Sequence, residues 1–204
     1  YMQLAIWDRF PEFRPTQPEV LDEVRRYLAD RVAGIDLLDR AAGFYQESLA
    51  GLTDPLARAE MGVRIAGLKL LDRKGEEAAR SLADTEPPTD KTTILPEPLR
   101  DERRVLKARA IFEQGQPDEA LRLLTSDYGE AAMRLRADIT WRTKRWAEAA
   151  AVLEALIGPP PAAGQPLSDE QASMILNRAT ALALAGDRRA LGSLRVDYGE
   201  AMAS

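Results

Sequence analysis

Apolar residues recur every three or four positions along most of the chain, the period of α-helices with one buried face. After Pro18, a favourable first-turn residue, Val20, Leu21, Val24, Tyr27, Leu28 and Val32 form one such run. Ile35, Leu38, Ala42, Tyr45 and Leu49 continue it past Gly34, so this stretch predicts two helices or one long bent helix. Asp54-Pro55 pairs a capping acceptor with proline at the first helical position and predicts a helix over 55–73, which Gly75 ends. Further helices are predicted at 75–84, 99–114, 117–125, 129–143, 146–157 and 169–185, with a last one from about 188. Ser168 and Gln171 have the spacing of a capping box at the start of the 169–185 helix. No alternating strand pattern occurs, so the fold class expected is all-α.

Proline divides this helical text. Residues 1–17 place Trp7, Phe10 and Phe13 among Pro11, Pro15 and Pro18, which predicts an extended lead-in that packs its aromatics on the first helices. Residues 85–98, with four prolines between Thr85 and Pro98, predict an irregular connection. It separates N-terminal hairpins over 18–84 from C-terminal hairpins over 99–204.

The turns share a register. Asp72-Arg-Lys-Gly-Glu-Glu-Ala78, Gln114-Gly-Gln-Pro-Asp-Glu-Ala120 and Lys144-Arg-Trp-Ala-Glu-Ala149 each bring an alanine to the start of a helix, and a second alanine stands twelve residues earlier at Ala66, Ala108 and Ala137. Small side chains at both positions let antiparallel helices approach closely. Ala179 with Ala190 repeats the idea one residue short. Asp127-Tyr-Gly-Glu-Ala131 echoes Asp197-Tyr-Gly-Glu-Ala201 and reads as a shared turn between repeats.

This arrangement resembles the tetratricopeptide repeat, with a small residue in the first helix, a tight turn and an alanine in the second. The likeness covers about 55–200 and, more weakly, 18–52. Spacings of 42, 29 and 41 between second-helix alanines depart from the family's period of about 34 residues. The resemblance implies one continuous right-handed α-solenoid of stacked antiparallel hairpins, in which each hairpin covers its neighbour's apolar face. Stretches such as Arg31-Val-Ala-Gly-Ile-Asp-Leu-Leu-Asp-Arg40 also look similar to the C-terminal region of large alphaproteobacterial repeat proteins. That likeness implies a bacterial parent protein with other domains and directs the expectation toward the cell envelope. The opening Tyr1-Met2-Gln3-Leu4 has no cationic leader and reads as part of a larger protein.

Composition narrows the chemistry. Cysteine and histidine are both absent, which removes thiol nucleophiles, imidazole bases and the usual zinc ligands. No phosphate-cradling glycine loop, nucleophile elbow or calcium loop is present, so neither an enzyme nor a cofactor is expected. The net charge of -5 argues against a nucleic-acid partner, and no apolar run approaches the roughly 20 residues needed to span a bilayer.

Charge is nevertheless uneven. Residues 100–145 hold eleven basic against eight acidic residues. The family register puts Val105, Arg109, Phe112, Arg134, Asp138, Trp141 and Arg142 on a groove-facing surface, which implies a basic groove for an acidic peptide from a protein partner, or for other domains of the parent. The alternative is a solvated helix surface in which Arg109 pairs with Glu113 and Arg134 with Asp138, and in which Trp141 and Trp146 are packing residues. The expected function is a protein-interaction scaffold. A helical accessory domain of a glycan-handling envelope enzyme and a purely structural spacer are the competing readings.

Overall fold

The computed structural model describes residues 2–88, 93–160 and 166–202. Every regular element among them is helical, and the contacts divide the chain into two compact units, Tyr1–Gln116 and Pro117–Ser204.

The first unit contains α1 (Met2–Arg9), α2 (Pro18–Ala33), α3 (Leu38–Gly51), α4 (Pro55–Leu71), α5 (Gly75–Asp84) and α6 (Glu97–Glu113), with a short 3-10 turn at Pro11–Phe13. Successive helices from α2 to α6 pack against one another, and α6 also reaches α4. The lead-in expected to be extended is instead helical over Met2–Arg9, because its first proline comes only at Pro11. Of its aromatics only Trp7 is buried, edge-on against Phe44 at 5.8 Å between ring centroids. The Arg14 guanidinium lies 4.9 Å over the Trp7 ring and donates to its carbonyl at 2.8 Å, which fastens the segment to the core. Phe10 and Phe13 stay exposed.

Helix α4 starts as its sequence dictates, with the Asp54 carboxylate accepting from the Ala57 N–H at 2.8 Å. Its neighbours come unusually close. A Cβ built on Gly62 falls 1.9 Å from Oγ1 of Thr85, so only glycine leaves room for the buried end of α5. Arg103 of α6 closes the same corner from within. Its guanidinium donates to the Ala59 carbonyl at 2.9 Å, the Leu82 carbonyl at 2.7 Å and the Glu86 carboxylate at 2.9 Å. A charge this buried requires such full pairing. The boundary expected at 85–98 therefore falls inside the first unit, since α6 beyond it packs on α4 and α5. Residues 89–92 of that connection lie outside the described residues.

The second unit contains α7 (Pro117–Leu123), α8 (Glu130–Arg142), α9 (Trp146–Ile157), α10 (Asp169–Ala185) and α11 (Arg188–Tyr198). Consecutive helices pack pairwise. The cluster of Ala149, Leu153, Ile157, Ile175, Leu182, Leu194 and Tyr198 forms its core. The capping box at Ser168 is formed, the Gln171 N–H donating to Oγ of Ser168 at 3.2 Å and the Ser168 N–H to Oε1 of Gln171 at 3.1 Å.

One turn closure recurs after five helices among the described residues. Asp36, Arg73, Gly115, Lys144 and Gly186 each take a left-handed conformation, with φ between 57° and 80°. The next residue's N–H reaches back five positions in every case: Leu37 to Val32, Lys74 to Lys69, Gln116 to Ile111, Arg145 to Thr140 and Asp187 to Leu182, at 2.8–3.2 Å. This is the Schellman closure, which satisfies carbonyls that a helix end leaves open. Counted from each left-handed residue, seven positions back and five ahead fall at Ala66/Ala78 and Ala137/Ala149. Ala66 and Ala78 share one buried cluster, and Ala137 packs on the cluster that holds Ala149. Ala108 and Ala120 belong to different units and each is fully buried. The same count gives Ala29/Ala41 in the α2–α3 hairpin, both fully buried and not singled out by the sequence reading. In the last hairpin it gives Ala179 and Leu191, so Leu191 rather than Ala190 holds the second position.

The two Asp-Tyr-Gly-Glu-Ala segments are not one shared turn. Asp127 is buried between α7 and α8, where Oδ1 accepts from the Gly129 N–H at 2.9 Å. Asp197 and Tyr198 instead finish helix α11, held there because Tyr198 is buried and its hydroxyl donates to the Gly158 carbonyl at 2.7 Å.

Candidate functional site

The six candidate residues divide between the units. Arg109 and Phe112 lie on α6 in the first, and Arg134, Asp138, Trp141 and Arg142 on α8 in the second. On α6, Arg109 is solvent-exposed and pairs with Glu113 at 3.7 Å, while Phe112 and Val105 are half-buried. Arg103, grouped with the basic surface by its position in the sequence, is a buried structural residue, and Arg104 pairs with Asp101 at 2.6 Å.

On α8 the four residues share one helical surface, with spacings of four, three and one. Arg134 donates to Glu130 at 2.8 Å and to Glu170 of α10. The bonds to Glu170 and then Glu130 hold its pKa above the ordinary arginine value. Asp138, expected as the partner of Arg134, pairs instead with Arg142 at 3.7 Å, because the α10 start brings a better-placed carboxylate to Arg134. Trp141 meets Trp146 edge-on at 5.4 Å and 85°, and packs on the second unit's core. It is a wedge within the α8–α9 hairpin with one partly exposed face.

The charge on this surface is thus mostly balanced by carboxylates of the chain itself. An exposed i,i+4 pair such as Asp138–Arg142 is worth only a few tenths of a kcal/mol.

Three open clefts lie elsewhere on the described residues, none of them lined by the six candidates. A cleft of about 350 Å³ in the first unit is lined by Ile6, Trp7, Phe10, Phe13 and Tyr27. One of about 360 Å³ between α7, α8 and α9 is lined by Tyr128, Met133, Arg136 and Val152. The third, about 460 Å³, lies along α10 and α11 and is flanked by Arg188 and Arg195. This last cleft lies outside the basic stretch at 100–145. The signal was the repeat register itself, which places arginines in α11 where earlier hairpins carry apolar residues.

Among the described residues no group of three or more acidic side chains is arranged to hold a metal ion, and no helix is long and apolar enough to cross a membrane. The chain matches no protein-family model and no curated protein.

Among the described residues the largest ion-pair network belongs to the first unit. Asp39 accepts from Lys74 at 2.6 Å and from Lys69 at 3.0 Å, and these two bonds hold its carboxyl below the usual aspartate value. Lys69 is buried, which opposes its charge, but bonds to Glu77 and Asp39 outweigh that effect and raise its pKa. The network ties α3 to α4 and α5 and serves as a structural lock.

Proposed function

We propose that this chain is a protein-interaction scaffold of tetratricopeptide-like hairpins without catalytic activity of its own, presenting the exposed surface of α8 to an acidic peptide segment of a protein partner. The observation that supports the reading is the repetition of one turn closure after five helices among the described residues. A repeated hairpin of this kind builds surfaces and open clefts rather than an enclosed reaction chamber. On α8, Arg142 and the partly exposed face of Trp141 offer a guanidinium beside an aromatic ring, and the weak Asp138–Arg142 pair opens to a competing carboxylate.

The test is an array of acidic peptides probed with the wild-type chain and with Arg134→Glu/Arg142→Glu. The reading expects about tenfold weaker capture by the variant, as charge reversal at a recognition surface opposes both encounter and complex. Equal capture across the array would remove α8 as the binding surface.

A further inference from the structure

Along the chain, each second helix of a hairpin offers one stripe to the helix that comes after it. In α9 the stripe lies two, six, nine and thirteen residues after the left-handed Lys144, at Trp146, Ala150, Leu153 and Ile157. Ala150, Leu153 and Ile157 are buried in one cluster with Ile175 and Leu182 of α10. The same count from Gly186 along α11 gives Arg188, Gly192, Arg195 and Gly199. Apolar residues have been replaced by two arginines alternating with two glycines.

The result is the groove of about 460 Å³ along α10 and α11. Its apolar lining includes Leu176, which is 58% exposed, together with Leu191 and Met202. A Cβ built on Gly192 meets nothing within 4 Å, so the middle of the groove is open. Arg188 and Arg195 are exposed, and neither guanidinium has a carboxylate partner among the described residues. Elsewhere in this unit arginines do find carboxylates, as Arg134, Arg142, Arg145 and Arg178 show.

We propose that this α10–α11 groove binds an acidic amphipathic α-helix of a protein partner. The inference rests on the scaffold reading and adds to it a second surface and the form of its ligand. The occupant is helical because the chain itself fills the corresponding place with a helix. There α10 lies on α9 and extends Glu170 to Arg134 of α8 and Arg178 to Glu154 of α9. The occupant is acidic because the two open guanidiniums stand seven residues apart, two helical turns or about 10.5 Å. Carboxylates seven residues apart on a docked helix match that interval, and its leucines cover Leu176 and Leu191.

Fluorescence anisotropy with a labelled Leu/Ala/Glu amphipathic peptide, about five turns long and with glutamates seven residues apart, tests this on the full chain. The wild type binds it, and binding weakens as salt screens the charges. Arg188→Glu/Arg195→Glu weakens binding at least tenfold. Gly192→Glu gives a second, folding-safe variant, because its carboxylate sits four residues after Arg188 and three before Arg195. It neutralises both guanidiniums in place, weakening binding to a similar degree while raising the thermal midpoint through better helix propensity. Arg80→Glu, on α5 of the first unit, leaves this peptide's affinity unchanged, and Arg134→Glu/Arg142→Glu is measured beside it as the α8 variant. The inference is overturned if the wild type fails to bind, if a lysine version of the peptide binds equally well, or if the α11 variants bind like wild type. Loss only in the α8 variant overturns it while the scaffold reading stands. Concentration-dependent sedimentation abolished by Arg188→Glu/Arg195→Glu assigns the groove to a second copy of the chain and likewise overturns it.

Discussion

Gly62 shows how a single missing methyl group decides where helices pack. Thr85 occupies the space its Cβ would take and donates its hydroxyl to the Ser81 carbonyl at 2.7 Å, while Arg103 donates to the same hydroxyl at 3.3 Å. Alanine raises intrinsic helix propensity by up to about 1 kcal/mol, but at Gly62 the displaced Thr85 and Arg103 dominate. Gly62→Ala is expected to destabilise the chain by about 1–3 kcal/mol. Gly67→Ala in the same helix, where a Cβ meets nothing within 4 Å, is expected to be neutral or to stabilise by up to about 1 kcal/mol. Urea denaturation of the two variants beside wild type measures the difference. At this scale the sequence was only partly legible. Gly62 carries no turn or capping signal, and its requirement comes from Thr85, twenty-three residues away, so no local pattern announces it. The burial of Arg103 is likewise not legible locally, because it depends on the Ala59 and Leu82 carbonyls and the Glu86 carboxylate, all distant in sequence.

Elements were more legible, because their boundaries are encoded next to them. Asp54-Pro55 and the Ser168 box cap their helices as the residues imply, and the starts at Gly75, Trp146 and Asp169 follow the pattern directly. The α2–α3 hairpin hid its register because Arg40-Ala41 replaces the Glu-Ala step that ends the other three turns, and because its turn carries apolar Ile35, Leu37 and Leu38. The lead-in is helical over Met2–Arg9 because the proline restriction begins only at Pro11 and does not act on the eight residues of α1. Turn chemistry also carries a prediction. Lys144 holds φ at 59° against the preference of any residue with a Cβ, and Gly115 holds 80° without that strain. Lys144→Gly is expected to stabilise by about 0.5–1 kcal/mol and Gly115→Ala to destabilise by about 1–2 kcal/mol, both read from denaturation midpoints. The candidate site was the least legible feature. Its Arg134 pairs with Glu130 and with Glu170, thirty-six residues on, rather than with Asp138, and two of its six members belong to the other unit.

Across the whole molecule, two units with separate cores use the same device to close their hairpins. The fully buried pairs Ala29/Ala41 and Ala66/Ala78 do so in the first unit, and Ala137 with Ala149 in the second. Nothing in a helical core demands alanine for its hydrophobicity, since the side chain buries little apolar area. Its value here is the close approach it permits, and repetition at one offset from one turn conformation makes the chain a series of like units instead of an irregular bundle. The most direct test is urea unfolding, followed by the fluorescence of Trp141 and Trp146, of Ala149→Leu against Ala147→Leu. Both residues lie in α9, but Ala149 is fully buried and Ala147 is exposed. Nesting at Ala149 predicts a loss of about 1–3 kcal/mol for Ala149→Leu and a change within about 0.5 kcal/mol for Ala147→Leu. Equal stability in the two variants would contradict it.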